Sequence, residues 1–270
     1  MDILKILSGS RLYNLHSHTE FCDGRAQMRV FAAEAVNRGF SHYGFSPHSP
    51  VPIESSCNMA ASKVGDYLDE VHRLQELYAD TGTRFYASME IDYLGKEWGP
   101  SDSYFRNLAL DYRIGSVHFI PAQSGILIDI DGSAERFCNS MERYFRKDIR
   151  YVVERYFAQS ISMVEAGGFD IIGHFDKVGQ NASRYSPGIE EEAWYEALCD
   201  DLISHISDAG VIVELNTKAY RDNKRFFPNE RNLQKVLAKG IPVVVNSDAH
   251  VPALIDASRT DAFELLDTLI

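Results

Sequence analysis

The stretch Asn14-Leu15-His16-Ser17-His18 closes a short apolar run that begins near Leu12. Side chains on a strand alternate between faces, so His16 and His18 point the same way. Two imidazoles at the C-terminal end of a first strand are able to share one metal ion. Such a pair also arises by chance, and its weight comes from the far end of the chain. There Asp248-Ala249-His250 again sets two ligand-type residues two apart after an apolar run. The sequence between reads as the means of bringing the two ends together.

Working outward, apolar runs of strand length alternate with amphipathic helical stretches. Strands are expected over Leu12–Leu15, His42–Phe45, Arg84–Ile91, Tyr112–Val117, Asp170–Gly173, Val211–Leu215 and Ile241–Asn246. A helix opens at Ser62, and its Val64, Tyr67, Leu68, Val71, Leu74 and Leu77 repeat at three and four residues before Gly82 closes it. A longer helical region runs from Ser133 to Ala166 and stops at Gly167-Gly168. Others are expected over Met28–Arg38, Ile189–Asp208, Asn229–Lys239 and Ser258–Leu269. Gly39, Gly210 and Gly240 each follow a helix, where a left-handed residue is wanted. Strand-helix alternation with no repeat or linker predicts one domain with a parallel sheet. About seven βα units suit a TIM-like barrel. An open doubly wound sheet is the alternative, but no glycine-rich phosphate loop follows the first strand.

The net charge of −12, from 39 acidic and 27 basic residues, disfavours general binding of nucleic acid or anionic membranes. Cys22, Cys57, Cys138 and Cys199 form no C-x-x-C pair and read as reduced, structural thiols of a cytoplasmic protein. The first ten residues are too short and too weakly apolar for a signal peptide, and no run approaches a membrane span. A soluble, intracellular protein is expected.

Barrels of this kind gather their chemistry at the C-terminal ends of the strands. His16 and His18, His48, Glu90, His118, His174, Glu214, and Asp248 with His250 stand at the seven expected ends in turn, with Asp23 in the first loop. For one such residue a satisfied polar side chain is the blander account. For the set, six of nine histidines at strand ends favour metal binding. Histidine with carboxylate and no thiolate suits zinc, manganese or iron. The ligands exceed the four or so that one ion needs, so two or three divalent ions are expected. Clustered cations of this kind activate water and clamp a phosphoryl group. His42, His72 and His205 read as structural.

Together His16-Ser-His18, Cys22-Asp23-Gly24, Ser46-Pro-His48, Glu90-Ile-Asp92, Gly115-Ser-Val-His118, Gly173-His174-Phe-Asp176, Glu214-Leu-Asn216 and Asn246-Ser-Asp248-Ala-His250 resemble the PHP (polymerase and histidinol phosphatase) superfamily. Within it the chain resembles the histidinol-phosphate phosphatases. The resemblance covers residues 12 to 250. It implies a distorted (β/α)7 barrel holding three divalent metal ions. His16, His18, Glu90 and Asp248 would bind the first; Glu90 would bridge to a second on His118 and His174; Asp23, His48 and His250 would hold the third. Many members carry a histidine near Asp23, a departure that points to weaker binding at the third site. Glu90, Asp248 and His250 would stand at the reacting centre, where a metal-bridging hydroxide attacks phosphorus.

The family further suggests arginines reaching the substrate phosphate from the loops after the fifth and sixth strands. Arg184 and Arg221 occupy those loops, with Lys177 and Arg225 as competitors. Glu214 and Asn216 would orient ligands or meet the amino group of a small phosphorylated substrate. The expectation is hydrolysis of L-histidinol phosphate. Another phosphomonoester (a nucleotide, a phosphosugar or phosphotyrosine) or a non-catalytic binding module are its rivals.

Overall fold

Along four of the strands that reach the centre, an apolar residue comes first and a small or polar one follows two positions later. In the computed structural model, which describes residues 1–269, ten strands appear. They are β1 (Tyr13–Asn14), β2 (His42–Phe45), β3 (Arg84–Ala87), β4 (Glu90–Asp92), β5 (Ile114–Ser116), β6 (Phe119–Pro121), β7 (Leu127–Asp129), β8 (Ile171–Ile172), β9 (Ile212–Asn216) and β10 (Val243–Asn246). Ile114, Ile171, Ile212 and Val244 belong to one buried apolar cluster. Two residues further on stand Ser116, Gly173, Glu214 and Asn246. The period-two alternation of a strand thus lays a polar storey on an apolar one. Val213 and Leu215, pointing the other way on β9, join the clusters packed outside.

The strands pair in parallel as β1-β2-β3 and as β10-β9-β8-β5-β4. Two isolated parallel bridges, Ser17–Ala249 and His48–Glu90, join these sheets. The result is an α/β fold of parallel strands whose neighbours follow one another in a closed order, with single bridges in place of full ladders at two seams. β3 and β4 are halves of the single strand expected over Arg84–Ile91. At their break the Tyr67 hydroxyl bonds the Ser88 carbonyl at 2.6 Å.

The helices are α1 (Ile3–Gly9), α2 (Met28–Asn37), α3 (Val64–Leu77), α4 (Ser103–Arg106), α5 (Ala134–Arg143), α6 (Ile149–Ala166), α7 (Val178–Tyr185), α8 (Ala193–Ala209), α9 (Tyr220–Asn223), α10 (Glu230–Ala238) and α11 (Arg259–Leu269). The helical region expected over 133–166 is two helices. Arg146 and Lys147 take left-handed φ values of 51° and 63°, and Asp148 restarts the helix by accepting from the Tyr151 amide at 3.0 Å. Gly39, Gly210 and Gly240 do adopt positive φ. α1 was not expected: its Ile3 and Ile6 join the apolar cluster beneath the strands. The antiparallel hairpin β6–β7 was also missed, although it springs directly from His118. All four cysteines are free, and no helix among the described residues is long and apolar enough to cross a membrane.

Candidate metal centre

The two ends of the chain meet through backbone register. Ser17 pairs with Ala249, and the His18 amide donates to the Ala249 carbonyl at 2.9 Å. The triplets His16-Ser17-His18 and Asp248-Ala249-His250 therefore lie side by side. Ser17 turns away to donate to the Gly44 carbonyl. His18 Nε2 comes within 3.1 Å of Asp248 Oδ1, and the His18 and His250 rings stack at 4.0 Å. Gly24 folds the first loop against this backbone: a Cβ there would meet Thr19 N at 2.3 Å. That close approach carries Asp23 Oδ1 to 3.2 Å from His250 Nε2.

Glu90 stands at the centre. Its Oε2 lies 3.4 Å from His16, 3.5 Å from His18 and 3.0 Å from His48. Its Oε1 lies 3.4 Å from His118 and 2.8 Å from His174. One carboxylate thus faces five imidazoles, all but His48 fully buried. Two of the ligand-type residues, His174 and Asp248, hold positive φ (23° and 47°). Positive φ is uncommon for any residue with a Cβ, although histidine and aspartate adopt it more readily than most, and it persists where surrounding structure imposes it.

Electrostatics keeps the carboxylates ionised. Burial works against the charge on Glu90, but His118, His16 and His48 hold its carboxyl well below the usual range. Burial is likewise overcome at Asp248 by Lys218, His16 and His18. His16, desolvated but facing Glu214, Asp248 and Glu90, is pushed well above its ordinary value. His18 is driven well below its own by burial and by the neighbouring His250 and His48.

The donor set suits divalent cations. Three groups have ligand atoms mutually within 4.8 Å: His16, His18 and Asp248; His48, Glu90 and His118; and His18, Asp23, His48 and His250. Buried Glu90 Oε2, Asp23 Oδ1 and His118 Nε2 lack any hydrogen-bond partner, although imidazole or carboxylate atoms surround each. Orphaned buried polar atoms are costly, and lone pairs converging on shared space are what a cation satisfies. Nitrogen and oxygen donors without thiolate suit zinc, manganese or iron. Cys22 Sγ sits 3.4 Å from His18 Nδ1, but burial pushes its thiol up to about 12, so it stands as a protonated neighbour.

A second layer fixes the imidazoles. Glu214 Oε1 holds His16 Nδ1 at 2.6 Å, and Asp92 Oδ1 holds His118 Nδ1 at 2.7 Å. Asn216 donates to Asp248 Oδ2 at 3.1 Å and Asn246 to Glu214 Oε1 at 3.0 Å. Glu214 and Asn216 are sealed from solvent. Of the two roles open to them in the sequence, this position matches the orienting one and not contact with a substrate amine. Asp92 was quoted in the sequence without a role. Its spacing of two from Glu90 on one strand was the available signal.

A cavity of about 170 Å³ opens over the cluster, lined by Asp23, His48, His118 and His250 and walled by Asp129, Arg136 and Lys218 among others. Lys218 Nζ lies 3.2 Å from Asp248 Oδ1 and 3.3 Å from His250 Nε2. The expected arginines are not in this lining. Arg184 is exposed and donates to Asn223 at 2.8 Å, and Arg221 is spent on its neighbour Asp222. Arg225 is paired with Glu190 and Lys177 with Asp131, each at 2.7 Å. Sequence reasoning passed over Lys218, whose signal was its place two residues beyond Asn216. His72 is exposed, and His42 and His205 bond Tyr86 and the Asp201 carbonyl away from the cluster.

Comparison with known proteins supplies an independent frame. The model of the PHP domain matches residues 14–218, well over half of the chain. The chain belongs to the PHP domain family. The histidinol-phosphatase of Bacillus subtilis is 25% identical over 255 residues, which span 87% of this chain and 92% of the relative. A crystal structure from Listeria monocytogenes superposes with a TM-score of 0.80 at 18% identity, covering 92% of this chain and 99% of the other. The histidinol phosphate phosphatase of Lactococcus lactis, solved with zinc, L-histidinol and phosphate, superposes with a TM-score of 0.69 at 19% identity. That match covers 95% of this chain and 93% of the other. These likenesses establish the shared α/β fold.

Proposed function

We propose that this chain is a metal-dependent phosphomonoesterase that hydrolyses L-histidinol phosphate to L-histidinol and phosphate. The carrying observation is the convergence of nine ligand-type side chains, from His16 to His250, on one cluster centred on Glu90, with a cavity opening over its Asp23, His48, His118 and His250 edge. The names of the relatives, and the ligands of the Lactococcus lactis structure, supply the substrate class. A binding module without catalysis has no need of this set, in which every ligand position keeps a ligand-type residue.

In this reading His16, His18, Glu90 and Asp248 hold one divalent ion. Glu90 with His118 and His174 holds a second, and Asp23, His48 and His250 a third. His48 also stands 3.0 Å from Glu90, which makes it the natural link between the second and third sets. Bound divalent cations supply Lewis acidity, making water more acidic and offsetting charge on phosphoryl oxygens. Glu214 and Asp92 fix the ring orientation of His16 and His118, leaving the opposite nitrogens free to act as donors. Lys218 brings an ammonium group to the rim, where it meets the incoming phosphate, and Arg136 offers a forked cation from the same lining. The apolar storey under Glu214 and Asn246 keeps water out from below.

Steady-state kinetics of zinc- or manganese-loaded protein on a panel of phosphomonoesters tests the assignment. L-Histidinol phosphate is expected to give the highest kcat/KM by at least about tenfold. If a nucleotide, a phosphosugar or phosphotyrosine matches it, the substrate changes and the hydrolytic scheme stays. If loaded protein cleaves none of them, the enzyme reading falls.

A further inference from the structure

The cavity carries four carboxylates in its lining: Asp23, Asp92, Asp129 and Asp131. Three are engaged. Asp23 faces His250 at 3.2 Å, Asp92 holds His118 at 2.7 Å, and Asp131 is neutralised by Lys177 at 2.7 Å. Asp129 alone has no cation or imidazole within 4.0 Å among the described residues. Its Oδ1 accepts from the Asp131 amide at 2.8 Å, which fixes the carboxylate in place on the wall.

The position of Asp129 is set by the cluster itself. Phe119 follows His118 in the chain and is the cross-strand partner of Asp129, while the Ile130 amide donates to the His118 carbonyl at 3.0 Å. The hairpin therefore hangs from a metal-type ligand and carries an uncompensated negative charge at a fixed place on the wall. A neighbouring groove of about 690 Å³ shares Phe119, Asp129 and Arg136 with the cavity, so this wall is also where a bulky leaving group finds room. A phosphate drawn to the histidines and Lys218 leaves the remainder of its ester pointing along the cavity. An ester with a cationic group a few bonds from phosphorus would place that cation beside Asp129.

We propose that Asp129 is a specificity-determining residue that binds the ammonium group of an aminoalkyl phosphate. The inference rests on the phosphomonoesterase reading and narrows it: esters bearing a primary amine are selected over neutral ones by the hairpin, separately from the metal-binding floor. No bond is made or broken at Asp129. It contributes a charge-assisted hydrogen bond in a partly desolvated site.

The test measures kcat and KM for the metal-loaded wild type and for Asp129→Asn on L-histidinol phosphate, its des-amino analogue and ethanolamine phosphate. The wild type is expected to prefer L-histidinol phosphate over the des-amino analogue by about tenfold or more, the size of one hydrogen bond to a charged group. In Asp129→Asn that ratio collapses towards one, chiefly through KM. Asp129→Ala, which removes the carboxylate without supplying an amide donor, gives the same collapse. A ratio that survives both substitutions overturns the proposal, as does a wild type indifferent to the amine. If amine preference depends on Asp129 but ethanolamine phosphate ranks with L-histidinol phosphate, the role of Asp129 stands and the histidinol assignment falls.

Discussion

Beneath the cavity, as a floor that only His118 exposes to it, His16, His18, Glu90, His118 and His174 are buried, ride on strands or the residues just beyond them, and hold one another at 2.8–3.5 Å. On its wall Asp129, Arg136 and Lys218 are exposed, carried by a two-stranded hairpin, the start of α5 and a loop. The floor has a second layer of carboxylates and amides that admits little change. The wall has few such supports. Charges sunk in a low-dielectric floor must be mutually satisfied or they unfold the site, whereas exposed charges are replaceable at small cost. The contrast separates the two proposals: metal binding rests on the floor, and the choice of ester on the wall.

The largest effect is expected on the floor. Asp248→Ala removes a carboxylate within 3.1 Å of His18, and turnover should fall by about a thousandfold or more, as loss of a metal-binding group implies. Far-ultraviolet circular dichroism should stay unchanged; turnover within tenfold of wild type would remove Asp248 from the centre. Next comes the layer behind it. Glu214→Gln keeps the shape but weakens the hold on His16 Nδ1, so metal affinity should drop about 10–100-fold, read by competition with a chelator. Excess metal should restore most of the rate, and an unchanged affinity would make Glu214 a packing residue only.

On the wall, Lys218→Ala should leave metal content as in wild type while lowering kcat/KM by about 10–100-fold, the worth of a lost contact to a charged group. Metal loss in that variant would blur the division between floor and wall. The smallest effect lies outside both. Burial opposes the charge on Glu190, but Arg225, Ser183 and Asn229 hold its carboxyl below the ordinary 4.5. Its folded value is depressed, so its stabilisation is present above about pH 4.5 and fades as pH falls through the folded value. Glu190→Gln should therefore melt lower than wild type at pH 7, by about 1–3 kcal/mol of stability, and the gap should close in acid. A gap independent of pH would assign the effect to packing.

The floor was legible in the sequence and the wall was not, for a physical reason. Strand alternation predicts that His16 with His18 and Asp248 with His250 share a face, and the Ser17–Ala249 pairing brings them together although β1 ends at Asn14, β10 ends at Asn246 and Asp248 takes a left-handed φ of 47°. All nine expected ligands do converge. The same logic would have found Asp92, two beyond Glu90. It did not reveal that Glu214 and Asn216 sit sealed behind His16 and Asp248, because spacing does not say how deep along a strand a residue lies. The wall depends on hairpin β6–β7, whose Phe119–Ile130 segment is short and interrupted by Gln123-Ser124-Gly125. Arginines were expected from loop position, yet Arg184 and Arg221 turn to Asn223 and Asp222, choices that local geometry makes and sequence spacing does not. The break between α5 and α6 had a readable signal in Asp148, a capping residue inside an otherwise helical pattern. α1 had only two buried isoleucines to announce it.

Anomalous diffraction at the zinc edge from zinc-loaded crystals tests the central claim most directly. The account predicts strong peaks in the space bounded by His16, His18, Glu90 and Asp248, with further density towards His118 and towards Asp23 and His250. Ordered zinc bound only elsewhere on the molecule, with that space holding none, would contradict it.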